Sequence, residues 1–369
     1  MQVRCNDCGK EAEFTLTGWR CECGGAWEPA ECPAFDPARI ETDDSSIWRY
    51  GRLMGLDIDN PSRRMGVGGT PLVPIDLFDN TVHLKLEYLS PSGSFKDRGV
   101  NAMVNQLVHM GVQTVVEDSS GNAGASLAAH AARFGLQAEI YVPATASAAK
   151  QQQIAVYGAA VKPIPGPRQA ASDAVQAAIR PGTAYASHAY NPAYLVGQMT
   201  VAWEVWEQLG RMAPDWVILP TAQGGQFLGY WFGFKRLLEA GLIERLPHMV
   251  AVQAEMIAPI HRAWVAGLDH IPPLEASGPT LAEGIAIPRP VRDKRILQAL
   301  HESNGRTVAV DEDDIREAQV VMAHRGYYIE PTSAAAVAGL KVVAGEIGEG
   351  ERVVISLTGN GLKGSPQDQ

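Results

Sequence analysis

Apolar and polar positions change period several times along this chain, and the changes mark its elements. Thr81 to Leu86 alternates polar and apolar residues like a strand, whereas Asn101 to Met110 carries apolar residues at helical spacing. Short apolar runs then recur at TVVEDSS (114–120), AEIYVP (138–143), DWVILP (215–220), HMVAVQAE (248–255), RTVAVD (306–311) and RVVISLTG (352–359), each the length of a strand. Between them lie the alanine-rich helix NAGASLAAHAARFG (122–135) and the helix AKQQQIAVYG (149–158), both stopped by glycine. A third helix runs from the glycine-bearing turn TAQGGQ (221–226) through Leu238. Asp311 to Asp314 put acids at the start of another, where the dipole favours them. Strands alternating with helices predict an α/β fold of parallel sheets covered on both faces. Pro33 to Pro74, rich in Pro, Gly and charge, reads as a wrapping segment with little regular structure.

With 369 residues, 20% of them charged, the chain is long enough for a large core, and usually for two lobes. Its 31 basic and 41 acidic residues give a net charge of −10, which offers no general attraction for nucleic acid or anionic membrane. The start, MQVRCNDCGK, lacks the apolar region of a secretory signal, and no apolar run approaches the ~20 residues of a membrane span. A cytoplasmic protein is expected.

All five cysteines fall within the first 32 residues, so no disulfide staples the main body. Cys5 and Cys8 form a CxxC, followed after twelve residues by Cys21 and Cys23 as a CxC that leads into Gly24-Gly25. Four thiolates at this spacing suit a structural zinc ribbon, although the second pair is one residue short of the usual knuckle. A reduced, metal-free hairpin module is the alternative.

The most informative stretch is PSGSFKDRG (91–99). It places Lys96 on a strand-to-helix turn near a helix N-terminus, where the dipole disfavours a cation. A lysine so placed can have a lowered amine pKa and form a Schiff base with a carbonyl cofactor. Three loops that follow strands offer partners, because ligands collect at the carboxyl ends of strands in open parallel sheets. SSGNAGAS (119–126) directs backbone N–H groups outward at a helix N-terminus, suiting a carboxylate or phosphate, and Asn122 adds a side-chain amide. TAQGGQ (221–226) lets backbone amides approach a phosphate, without being a Walker loop or a dinucleotide fingerprint. LTGNGLKG (357–364) presents Thr358 after a strand. The nine histidines show no HxH or HExxH pattern, and no GxSxG is present. Trp203, Trp206 and Trp231 lie at helical spacing among apolar neighbours, which predicts core packing.

Lys96 in SGSFKDRG, then SSGNAGAS, the glycine loop, EPTSAAAVAGL (330–340) and SLTGNGLK (356–363) occur in one order. With CxxC…CxCGG, IWRY (47–50), GGTPLV (68–73) and NPAYLVGQMTVAWEV (191–205), that order resembles the fold type II pyridoxal-phosphate enzymes, and within them the threonine synthase family. The resemblance implies two open twisted parallel-sheet lobes, tryptophan synthase β-like, with a small Cys-rich ribbon in front. On that scheme residues 1–32 are the ribbon, 33–97 and 200–369 the large cofactor-binding lobe, and 98–199 the small mobile lobe. A homodimer is implied as well.

By the same resemblance Lys96 forms the Schiff base with pyridoxal 5'-phosphate and Asn122 contacts its ring hydroxyl. Gln223, Gly224, Gly225 and Gln226 cradle its phosphate, and Thr358 faces the pyridine nitrogen. Ser119, Ser120, Gly121 and Ala123 hold the carboxylate of an amino-acid substrate. The reaction implied is O-phosphohomoserine plus water to threonine plus phosphate. One position departs from the pattern: the family commonly reads NPxRLEGQ, and Tyr194 stands where the arginine for the substrate's phosphate is expected. Charged hydrogen bonds contribute ~1.5–3 kcal/mol each, so the change matters. Either another cation (Lys150, Arg168 or Arg289) fills the subsite, or the substrate has no phosphate. In the second case the enzyme is a β-eliminating threonine/serine-type dehydratase or a β-replacement synthase.

Overall fold

The structure, a computed structural model, describes residues 1–56 and 65–363. Residues 57–64 of the expected wrapping segment, and Gly364 of the last glycine loop together with the chain end, lie outside the described residues. In chain order, β1 (Gln2–Cys5), β2 (Glu11–Glu13) and β3 (Trp27–Pro29) come first, then the short α1 (Gly51–Met54). They are followed by β4 (Leu72–Leu77), β5 (Asn80–Lys85), α2 (Lys96–His109), β6 (Thr114–Glu117), α3 (Asn122–Phe134) and β7 (Gln137–Pro143). Next are α4 (Ala148–Ala155), β8 (Ala160–Ile164), α5 (Arg168–Ala177), β9 (Thr183–Tyr185) and α6 (Pro192–Gln208). The remainder is β10 (Trp216–Pro220), α7 (Gly225–Glu239), β11 (His248–Ala254), α8 (Pro259–Val265), α9 (Asp293–Glu302), β12 (Arg306–Val310), α10 (Glu312–Ala323), α11 (Pro331–Val343) and β13 (Val353–Ser356).

The chain divides into two compact units, one holding Met1–Gly69 and Ser90–Gly197, the other Thr70–Leu89 and Gln198–Gln369. This grouping differs from the expected lobes, which put 33–97 with the carboxyl-terminal half. Local bonds mark the two boundaries. Ile47 donates its N–H to Val67 O, and Gly68 and Gly69 press against Ser45–Ile47 so closely that a Cβ at either would clash. At the other boundary, Ser92 donates both its N–H and its hydroxyl to Asp97, which ties the approach segment to α2.

In the first unit a parallel sheet runs β8-β7-β6-β9, and a separate antiparallel ribbon runs β2-β1-β3. Every residue of β6 is buried, as the middle strand of a sheet covered on both faces requires. Helices α3 and α5 pack on β7, and α2 packs on α3. The first half of α6 lies against α2, and two glycines allow it: a Cβ at Gly197 would meet Arg98 O, and one at Gly99 would enter the Tyr194 ring.

The second unit is built on the sheet β12-β11-β10-β13-β5-β4, parallel except for β4. Trp216 to Pro220 is buried throughout, and α11 lies on β10 through β13. Trp203, Trp206 and Trp231 are core residues as expected. A buried network joins Lys85 Nζ to Glu204 Oε1, Gln208 Oε1 and Thr70 O, while the Thr70 hydroxyl donates to Glu87. Strands β4 and β8 are edges and each carries a proline, Pro74 and Pro163, where a missing N–H costs least.

Candidate functional site

Each parallel sheet has a switch point, where successive connections leave in opposite directions. In the first unit it falls between β6 and β9, in the second between β10 and β13. The crevice outside the carboxyl ends of such strands is where open α/β sheets bind ligands. The residues singled out in the sequence fall into two sets accordingly.

In the first unit, Lys96 is the first residue of α2, with Phe95 as N-cap. The turn is fixed from behind. Asp97 accepts from Ser92 twice and from the Ser126 hydroxyl of α3, so the start of α2 is pinned to a neighbouring helix by buried bonds. The Lys96 ammonium lies 4.6 Å from the Phe95 ring centre and 6.0 Å from that of Tyr194. Tyr194, the residue at the expected arginine position, is fully buried in α6.

The loop after β6 turns tightly: a Cβ at Gly124 would lie 1.9 Å from Ser119 O, so only glycine fits there. Asn122 opens α3, Gly121 is its N-cap, and Gly121 has open space on its Cβ side. Ser119, Ser120, Gly121 and Asn122 are all half-buried, while Ala123 is buried. The loop thus offers backbone amides at a helix N-terminus, a setting that favours an anion.

Sequence reading missed the ionisable cluster at this switch point. His188 Nδ1 lies 2.7 Å from Glu117 Oε1, and the Tyr185 hydroxyl donates to Asp118 at 2.8 Å. Burial, with Asp118 adding to it, raises the Glu117 carboxyl well above its ordinary value, against the opposing charges of Lys96 and Arg168. Burial drives His188 well below its ordinary value, and the charges of Lys96 and Arg168 push the same way. Tyr185 is raised, by burial first and then by Asp118. Of the three substitute cations, Arg168 therefore makes its charge felt at this cluster. No sequence spacing links Glu117 to His188; the only available signal was two charged residues, Glu117 and Asp118, ending an otherwise apolar strand.

In the second unit, Gly224 sits in the left-handed region at φ 79° as N-cap of α7. A Cβ there would meet Ile296 at 2.6 Å, so glycine is required twice over. The first intrahelical bond of α7 is donated by Leu228, which leaves the amides of Gly225, Gln226 and Phe227 ahead of it. The side chain of Gln223 accepts from Val291 N, and that of Gln226 donates to Ser356 on β13. Both glutamines thus brace the loop with their side chains, and the backbone is the part suited to an anion. After β13, Thr358 is buried with its hydroxyl 3.0 Å from that of Ser333. Ser333, near the start of α11, accepts from the backbone N–H of both Thr358 and Gly359. Ser333 was not singled out from the sequence, although it lies within EPTSAAAVAGL.

A dianion held by backbone amides at a helix N-terminus, with uncharged hydroxyls nearby, is what a phosphorylated heterocycle needs, and the second unit fits it. A family model described as pyridoxal-phosphate dependent enzyme matches residues 63–359. The chain belongs to the pyridoxal-phosphate-dependent enzyme family. Among relatives in this family, it is 33% identical to the threonine synthase of Methanocaldococcus jannaschii over 98% of this chain and 93% of the relative. It is 36% identical to that of Synechocystis sp. over 86% of this chain and 82% of the relative. Among solved structures, a threonine deaminase from "T.th." superposes with a TM-score of 0.69 at 25% identity, over 80% of this chain and 94% of that one. Maize serine racemase, at 20% identity and a TM-score of 0.69 over 79% and 88%, shares the fold.

The cysteine ribbon carries a third cluster. The Sγ atoms of Cys5, Cys8, Cys21 and Cys23 all lie within 4.8 Å of one another, with Cys5 to Cys23 at 3.4 Å and Cys8 to Cys21 at 3.7 Å. Gly24, at φ 92°, turns the chain, and Gly25 leaves the room that Cys5 occupies, which lets a CxC pair do the work of a longer knuckle. Burial pushes the Cys5 thiol up to about 12, while the Lys10 backbone N–H and neighbouring sulfurs bring Cys8 down to about 7. Among the described residues, no helix is long and apolar enough to cross a membrane.

Proposed function

We propose that this family member is a lyase of the threonine synthase type, converting O-phosphohomoserine and water to threonine and phosphate. The observation that carries the reading is similarity to threonine synthases across nearly the whole chain, 98% of it in one case. When bound, pyridoxal phosphate supplies the electron sink that makes the bonds at the substrate's α-carbon labile. The chain's own residues do the rest. Lys96 would hold the cofactor's aldehyde, and its amine would move protons at the substrate carbons. The α7 N-terminus with Gly224 and Gly225 takes the cofactor phosphate, with Gln223 and Gln226 bracing that loop. Thr358, held by Ser333, would face the ring nitrogen without a formal charge, and Asn122 would face the ring hydroxyl. The amides of Ser119 to Ala123 receive the substrate carboxylate.

A second reading is favoured by one observation: the fully buried Tyr194 offers no bidentate cation for a substrate phosphate. On that reading the substrate is an unphosphorylated hydroxy amino acid and the products are a 2-oxo acid and ammonia. A substrate panel on one preparation separates them. Phosphate release with threonine from O-phosphohomoserine supports the first, and ammonia with a 2-oxo acid from threonine or serine the second. A protein that stays colourless with added pyridoxal phosphate and turns over neither substrate sinks both.

The ribbon fits a structural zinc. Four sulfurs at ~2.3 Å from a tetrahedral metal stand roughly 3.8 Å apart, close to the spacing seen, and no open position remains for catalysis. Metal analysis of the wild type and of Cys5→Ser tests this: about one zinc per chain is expected, lost in the variant.

A further inference from the structure

Glu117 closes β6 and His188 follows β9, so the two side chains meet across the switch point of the four-stranded sheet. The Glu117 side chain is 1% exposed and His188 13%, so the imidazole is the more open member of the pair. Glu117 Oε2 is buried with no hydrogen-bond partner among the described residues. As a structural device this is poor: a carboxyl group buried with one oxygen unsatisfied costs stability, and an apolar residue would fill the strand better. Displaced ionisable pairs of this kind concentrate at functional sites. The ring of Tyr194 borders both the imidazole, at 6.1 Å between centroids, and the Lys96 ammonium, at 6.0 Å. The other charged or titratable groups acting on the pair are Asp118 beside Glu117, Tyr185 on β9 and Arg168 on α5.

We propose that Glu117 and His188 form an acid–base pair that serves the oxygen leaving the substrate. His188 is the catalytic group, and Glu117 is the positioning residue that holds the imidazole and its proton. The inference rests on the lyase reading above, and it applies to either substrate because both lose an oxygen leaving group. The proton balance closes for O-phosphohomoserine. As the Cγ–O bond breaks, phosphate keeps the bonding electrons and takes a proton from the imidazole. Glu117 passes its own proton to Nδ1, which leaves the pair one proton short. Water then adds its oxygen at Cβ and releases a proton, and the pair recovers it. For an unphosphorylated substrate the same proton turns the departing hydroxide into water. The proton that Lys96 removed from the α-carbon then passes back to the pair, so the pair again ends as it began.

The test uses the full chain loaded with pyridoxal phosphate, assayed with O-phosphohomoserine, L-threonine and L-serine. Glu117→Gln and His188→Gln are expected to lower kcat by roughly a hundredfold or more. KM should stay within about threefold, the visible cofactor band should persist, and one limb of the kcat pH profile should vanish. Glu117→Asp restores part of the loss, and His188→Asn serves if His188→Gln misfolds. A kcat within about twofold of wild type and an unchanged profile overturn the proposal. So does a loss confined to KM or to the cofactor band. Histidine-labelled NMR of the cofactor-free protein reads the pair without turnover. His188 should titrate higher in Lys96→Ala, because the lysine charge depresses it. An unmoved midpoint overturns the coupling to Lys96. A wild type inactive on all three substrates fails the lyase reading instead, and the NMR result then decides whether the pair exists as described.

Discussion

The two switch points use opposite means. In the second unit the work falls to the backbone: a left-handed glycine, a helix N-terminus and two hydroxyls, none of which titrates near neutral pH. In the first, backbone amides at the start of α3 are joined by ionisable side chains drawn from β6, α2, α5 and the loop after β9. A backbone cradle holds a constant anion equally well at any pH, whereas a side-chain cluster can give and take protons. On the proposed function, the contrast separates holding from reacting. It also says how each should fail.

The largest effect is expected for Lys96→Ala, which should abolish both the visible cofactor band and turnover; a variant that keeps either would break the comparison at its root. Gly224→Ala attacks holding alone. The left-handed backbone costs a side chain ~1–2 kcal/mol, and the new Cβ meets Ile296. Cofactor affinity should therefore fall about tenfold or more in a fluorescence titration, while kcat at saturating cofactor stays near wild type. Trp19→Ala attacks the support of the first unit. Its ring meets Tyr185 and Tyr190 edge-on at 5.0 and 4.9 Å. Losing a buried tryptophan costs about 3 kcal/mol, visible in chemical denaturation.

The smallest effect is a slope. The folded chain refuses a proton at His188 that the unfolded chain accepts near 6.5, so this group costs stability as pH falls through that value. Glu117 acts in reverse: it keeps its proton above the ordinary 4.5, and its contribution is lost as pH rises from there toward its raised value. Glu117→Gln should therefore lose more melting temperature than wild type between about pH 7 and pH 5, and His188→Gln less. Parallel slopes in all three proteins would remove the electrostatic half of the comparison.

How much of this was legible follows from the same division. Lys96, Gly224 and Thr358 announce themselves because their neighbours in sequence (small residues, glycines, a preceding strand) are also their neighbours in space. Seven of the thirteen strands among the described residues (β5, β6, β7, β10, β11, β12 and β13) were legible for that reason, whereas β8, β9 and α5 were not read. The edge strand β4 was not, because Pro74 and its half-exposed pattern read as a loop. The Glu117–His188 pair was hidden because its members stand 71 residues apart and meet only once β6 and β9 lie side by side. Ser333 was hidden differently: a serine inside an alanine-rich helix looks like filler until it is seen to bind two backbone amides.

The contact of Trp19 has a thermodynamic consequence. Trp19 lies on the ribbon between Cys8 and Cys21, and it packs on Tyr185, whose hydroxyl donates to Asp118 next to Glu117. Ring packing at Trp19 thus brings the ribbon against the switch point. If a structural zinc, as proposed, steadies the ribbon and thereby the tyrosine, occupancy of the switch point tightens that metal by the same factor. On the proposal of a structural zinc, chelation would then weaken ligand binding at the switch point by that factor.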